Sequence, residues 1–268
     1  MTATTIVSDR DDLRPNVSIG RIFARTCAAE WARLWSVKAT WWFLAAAAFV
    51  MLALGTIAGF ESAARPAELP SQSAWTEVRF IALPAQFALL SLAAITVTAD
   101  YATGGIVPAL QWTPRRTVLF LARSLVTVAT ATGAGVVLAV MAALTAFMTA
   151  SSALTLQLNE FPAFVGTVAA VFAAGATIGA GIGFVLRNTA GALVTMFLLM
   201  LVLPQVLRQF GTFTSAIAEI LPGSGTIFII TRQVPGMTMT SSVAVLLAWG
   251  IGVALLGWLR LRRTDAHR

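Results

Sequence analysis

Apolar residues run along this chain in blocks of about twenty, separated by short polar stretches. At ~1.5 Å of rise per residue, about twenty helical residues cross the ~30 Å hydrocarbon layer of a bilayer. The blocks predict six spanning helices, at about 41–60, 80–98, within 117–150, and at 161–186, 189–207 and 242–259. The third block is longer than a bilayer needs, so part of it should project beyond the membrane.

Two regions break the pattern. In 18–40, Ile19, Ile22, Phe23, Cys27, Trp31, Leu34 and Trp35 recur at helical i, i+3, i+4 spacing, flanked by Arg21, Arg25, Arg33 and Lys38. A basic amphipathic helix with tryptophans before a span reads as an interfacial helix lying among the headgroups. A helix packed on a soluble partner is the alternative. In 209–241, two short apolar pieces are broken by Glu219, Pro222, Gly223 and Gly225. Neither piece can span alone. They predict two short re-entrant helices dipping from the outer surface, sheltered by protein because irregular backbone needs that at depth; an ordinary surface loop is the alternative. Residues 1–17 are polar, contain Pro15 and are expected to be flexible, and 260–268 form a basic tail. The first forty residues carry four acids and no early apolar run, unlike a cleavable signal peptide.

Composition agrees with lipid as the main solvent: 58% of residues are hydrophobic and 11% charged, against about 25% charged in a soluble domain. The fold class is therefore all-α polytopic. A net charge of +7 raises the question of nucleic acid, but the basic residues follow topology instead. With six spans both termini share one side. The N-terminal segment, the 99–123 connection, Arg187 and the tail place fourteen of the 18 basic residues there, leaving Arg65, Arg79, Arg208 and Arg232 opposite. The positive-inside rule then puts both termini in the cytoplasm.

Several chemistries lack their residues. A P-loop needs G-x-x-x-x-G-K-[ST], and the only lysine, Lys38, has no glycine run before it. ATP and Mg would therefore be bound by a partner, and no cofactor is expected on this chain. The single His267 and single Cys27 cannot supply a catalytic dyad within the membrane or a zinc shell, so no catalytic or metal residues are expected. Ion-coupled carriers need ionisable groups within the spans. Here the candidates, Asp100 and Arg123, fall at the predicted cytoplasmic ends. Gly175 and Gly179, with Gly181 and Gly183 after them, and Gly55 with Gly59 have spacing suited to close helix packing, within the chain or between subunits.

The polar stretch 99–116, ADYATGGIVPALQWTPRR, interrupts the chain between the second and third spans. Asp100 and Thr103 can begin a short helix, Gly104 and Gly105 allow a bend, and Pro108 and Pro114 limit its continuation. Ile106, Val107, Leu110 and Trp112 give it an apolar surface, and Arg115 and Arg116 suit headgroups at its far end. It reads as a docking helix on the cytoplasmic face or as a turn hugging the membrane.

Two segments carry a family resemblance. Glu30, Trp31, Leu34, Ser36, Thr40 and Trp42 match an E-W-x-K-L-x-S-x-x-x-T-x-W pattern. Asp100, Tyr101, Thr103, Gly104, Ile106, Pro114, Arg115, Arg116 and Arg123 match an acid-Y-x-T-G-x-I, P-R-R and basic pattern. Together with GIGFVLRNTAGALV and LPGSGTIFI, these resemble the ABC-2 type permeases of ATP-binding cassette transporters, above all short actinobacterial drug and antibiotic exporters, over about residues 28–259. Arg33 and Arg123 stand where lysine is common, and Asp100 where glutamate is usual.

The resemblance implies a type V exporter fold, with 18–40 as connecting helix and 41–259 as transmembrane domain. It implies a homodimer, or a pair with a related permease, in a bacterial plasma membrane, carrying two cytoplasmic ATPase subunits. It further implies that 99–116 holds the coupling helix, and that Glu219, Pro222, Gly223 and Gly225 gate the outer end. The function to be expected is export of an amphipathic or apolar cargo. The competing expectations are a non-transporting membrane partner of an ATPase and an ion-coupled carrier.

Overall fold

The computed structural model describes residues 18–65, 72–113, 115–150 and 153–263. In chain order these form α1 (Ile19–Ser36), α2 (Lys38–Ala63), β1 (Gln72–Ser73), α3 (Ala74–Arg79), α4 (Ala82–Thr103), α5 (Ile106–Trp112) and α6 (Arg116–Thr149). Then follow β2 (Leu154–Thr155), α7 (Phe161–Leu186), α8 (Thr189–Phe197), a π-helical turn at Leu198–Val202, α9 (Leu203–Leu207), α10 (Thr212–Glu219), α11 (Pro222–Thr231) and α12 (Met239–Arg262). Among the described residues, six helical stretches are long and apolar enough to cross a membrane: α2, α4, α6, α7, the run from α8 through α9, and α12. The all-α polytopic expectation holds, apart from a two-residue parallel pairing of β1 with β2 that is too short to leave a sequence period.

Local chemistry sets the boundaries. Ser18 caps α1 by accepting from the Arg21 N–H, and extended Val37 (φ −90°, ψ 124°) separates α1 from α2. The second span continues past residue 98, so Asp100 and Thr103 end a helix rather than begin one. α4 stops at Gly104, whose φ of +74° suits glycine. The Thr103 hydroxyl donates back to the Ala99 carbonyl at 2.9 Å. In the fifth span, Pro204 has no N–H for the Met200 carbonyl four residues earlier. The backbone just before it is wound as π, with the Leu203 N–H donating to the Leu198 carbonyl. The 209–241 region does form two short helices, α10 and α11, bent 83° to each other.

Glycines set how closely the helices meet. A Cβ at Gly175 would lie 2.6 Å from Gln86 Nε2, at Gly179 2.5 Å from the Leu90 carbonyl, and at Gly183 3.0 Å from the Ala94 carbonyl. Three successive turns of α7 thus receive three successive turns of α4. Gly55 and Gly59 of α2 receive the Ala142 and Ala146 carbonyls of α6 in the same way. The glycines therefore make intrachain contacts, which is how helices gain van der Waals contact where water cannot drive association. α4 and α7 are the most enclosed spans, and α2, the fifth span and α12 the least.

Candidate functional site

The end of the bundle that carries α1 and α5 also holds most of the buried charge. Glu30 of α1, Asp100 at the end of α4 and Arg123, two turns into α6, are all buried, and Arg123 is only 1% exposed. Arg123 donates from Nε to Glu30 Oε2 at 3.0 Å and from Nη2 to Glu30 Oε1 at 2.8 Å, a bidentate fork. Its Nη1 lies 2.7 Å from Asp100 Oδ2, close enough for an ion pair but without hydrogen-bond alignment. Arg33 completes the group. It donates to Asp100 Oδ1 and, at 2.6 Å, to the Thr96 carbonyl, and its Nε is 3.3 Å from Glu30 Oε2. Two acids and two bases form a neutral quartet that joins α1, α4 and α6.

This quartet revises the reading of two segments. The packed face of α1 is Thr26, Glu30 and Leu34, with Ile22 half-buried beside it. Trp31, on the opposite side, is 50% exposed, while Phe23 and Trp35 are half-buried. The apolar stripe read from the sequence is therefore divided between the bundle and the surroundings. Trp35 packs between Trp31 and Trp41, with ring centroids 5.5 and 5.2 Å apart, and the Trp41 indole donates to the Trp35 carbonyl. Burial first, and then the Glu30 charge, raise the Cys27 thiol pKa above its ordinary value. Asp100, expected among the docking residues, faces inward instead.

Beside the quartet, a groove of about 710 Å³ runs between α1 and α5. Arg25, Ala29 and Arg33 line one wall, Pro108 and Ala109 the other, and Arg115 and Leu119 close it. At 100° per residue, Arg25, Ala29 and Arg33 lie on the side of α1 opposite Trp31 and Trp35. The groove therefore opens away from the tryptophan face. Of the remaining residues in the 99–116 stretch, Tyr101 is half-buried with the Arg187 guanidinium 5.1 Å above its ring, and Ile106 packs against the core. Thr103 is exposed, and Gly105, just before α5, sits beside Thr103 and Asp100. Arg116 donates to the Arg262 carbonyl at 2.7 Å, and Arg187 to the Arg260 carbonyl at 2.8 Å, so both hold the end of α12. Pro114 and the side chains of Leu110 and Trp112 lie outside the described residues, as do 1–17 and 264–268.

The gate candidates lie at the opposite end. Pro222 occupies the first turn of α11, and Gly223 and Gly225 are buried with it. A Cβ at Gly223 would lie 2.1 Å from the Met200 carbonyl, and one at Gly225 3.1 Å from the Ser242 carbonyl. These glycines thus let α11 touch the fifth span and α12. Glu219 ends α10, with its carboxylate against Gly236. Arg208 donates to Ser224 Oγ at 2.7 Å, and Ser224 in turn to the Ala218 carbonyl, tying α9, α10 and α11 together. Burial lowers the Arg208 pKa, opposed by the Glu219 charge. Gly223→Ala should weaken this junction by about 1–3 kcal/mol, because the obstacle is backbone, and a thermal unfolding curve of the purified chain would read it.

What the sequence missed is the joining of Glu30, Arg33, Asp100 and Arg123 into one unit. A usable signal was present: in so apolar a chain, an acid and a base assigned to neighbouring span ends need partners. No protein-family model and no curated protein matches this chain.

Proposed function

We propose that this chain is the permease subunit of an ATP-binding cassette exporter of the ABC-2 type, powered by ATPase subunits encoded separately. The observation that carries the reading is the groove between α1 and α5, backed by the ion quartet. A partner seated there would push on α5 and α1, and the quartet would carry that push into α4 and α6. Buried charge pairs suit this role because parting them is costly, so the three helices move as a unit. In this reading α1 is the interfacial connecting helix, with Trp31, Trp35 and Trp41 at headgroup level. α5 is the coupling helix, α10 and α11 are the re-entrant pair, and both termini are cytoplasmic in a bacterial plasma membrane. The uncovered faces of α2, the fifth span and α12 would meet lipid and a second permease copy. The cargo would be amphipathic or apolar, such as a drug, an antibiotic or a lipid.

The test is purification of the tagged chain from its native membrane in mild detergent, with its companions identified and counted. A soluble P-loop ATPase at one copy per permease is expected. Arg115→Glu and Ala109→Trp alter the groove walls, not the quartet. Each should lower ATPase retention or cargo-stimulated ATP hydrolysis about tenfold, equivalent to ~1.4 kcal/mol, with folded yield unchanged. Asp100→Ala is a poor test of docking, because it also breaks the quartet. A chain that persistently purifies alone, even after crosslinking, would overturn the reading in favour of a carrier or a membrane scaffold.

A further inference from the structure

A second cavity, of about 210 Å³, lies between α4, the π turn of the fifth span and α11. Its walls are mostly apolar, with Leu90, Met200 and Leu201 among them, and no charged residue among the described residues lines it. Three polar side chains interrupt this surface: Gln86, Gln205 and Thr226.

Two of these carry unused hydrogen-bonding capacity. Thr226 is 2% exposed, yet its hydroxyl has no hydrogen-bond partner among the described residues. A threonine in a helix normally returns its hydroxyl to a carbonyl one turn back, as Thr130 does to Val126. A buried hydroxyl left unmatched is costly, and a bound group that pairs with it recovers that cost. Gln86 is 4% exposed and reaches across α7 through the space left by Gly175, donating its amide to the Val171 carbonyl at 2.9 Å. Its Oε1 accepts no hydrogen bond among the described residues. The third wall is a π turn, an irregularity found frequently at functional sites.

We propose that this cavity is a binding site for an uncharged, mainly apolar small molecule with one hydroxyl group. The hydroxyl pairs with Thr226 and Gln86, and the hydrocarbon body lies against Leu90, Met200 and Leu201. A charged ligand is disfavoured because no wall residue could balance it in a surrounding of low dielectric. The inference rests on the cavity itself and not on the exporter reading; binding can be measured with no ATPase present, so either can fail without the other.

The experiment photolabels the purified full chain in lipid nanodiscs with a diazirine-bearing octanol. Saturable labelling at Met200, Leu201 or Ile227 is expected, displaced by n-octanol and not by octanoate at neutral pH. Thr226→Val keeps the side chain's size and should raise the half-saturating concentration about fivefold. Ile227→Trp should fill the cavity and abolish the saturable component. The proposal is overturned by labelling that does not saturate and spreads over surface positions such as Leu121 and Leu255, which are 50% and 52% exposed. Equal displacement by octanoate, or wild-type binding in both variants, would also overturn it; the latter would mean that the cavity holds only water or lipid chain.

Discussion

Arg123→Met is expected to destabilise the folded chain by about 3–5 kcal/mol, the usual cost of removing one partner from a buried ion pair. The reason is what stays behind. Glu30 and Asp100 are both buried, both bound to Arg123, and left with Arg33 as their shared cation. Two adjacent carboxylates would then face one guanidinium whose side chain is 30% exposed. Charge balance ranks the other substitutions. Arg33→Met should cost less than Arg123→Met, because the side chain it removes is partly solvated and the bidentate fork survives. Arg123→Lys should fall between, since it restores the charge but not two parallel N–H donors. The double variant Glu30→Gln with Arg123→Met should recover part of the loss, because Arg33 and Asp100 remain as a balanced pair. Denaturation of the wild type and the four variants in one detergent would measure these differences. If Arg123→Met unfolds at the wild-type midpoint, the quartet has no mechanical or structural weight.

Gly179→Val should be nearly as damaging, for a reason unrelated to charge. Its Cβ would stand 2.5 Å from the Leu90 carbonyl, a backbone atom that cannot rotate aside. The α4–α7 crossing would have to open along its length, loosening Gly175 against Gln86 and Gly183 against Ala94 as well. Overpacking of this kind costs about 1–3 kcal/mol and occasionally more. Gly252→Val provides the control. That glycine lies within α12 and has nothing within 4 Å of its would-be Cβ, so the change should be neutral or slightly favourable through helix propensity. Folded yield after detergent extraction should drop for Gly179→Val and hold for Gly252→Val. Equal yields would mean that the α7 ridge is not the close seam of the bundle.

These two cases show which features the linear chain reveals. The spans were legible because about twenty consecutive apolar residues have few uses outside lipid, and the fourth was placed at its observed limits, 161–186. The glycine spacing was legible as a packing surface, but its partner was not, since Gly179 and Leu90 meet only after folding. The quartet was harder. Glu30 and Arg123 are 93 residues apart and Arg33 and Asp100 67, and no local pattern links such positions. Glu30 also sits on a helix whose apolar stripe draws attention to Trp31 and Trp35. At the end of α4, Asp100 and Thr103 suit a helix N-terminus by residue type, while Gly104 is the true signal, as a stop. Pro204 is the local cue to the π turn that precedes it.

The crossings also run in a consistent sense. Gln86, Leu90 and Ala94 ascend α4 as Gly175, Gly179 and Gly183 ascend α7, and Gly55 and Gly59 ascend α2 as Ala142 and Ala146 ascend α6. These two glycine seams therefore join parallel helices, two crossings apart, and not helices adjacent in the chain. The Gln86 amide finds its Val171 carbonyl only after 85 further residues, roughly 4–17 s of synthesis at about 5–20 residues per second. During that interval an unpaired glutamine faces lipid or whatever escorts the nascent chain. Biogenesis of this protein is thus a problem of waiting: its early spans must be held apart from wrong neighbours until their parallel partners are made.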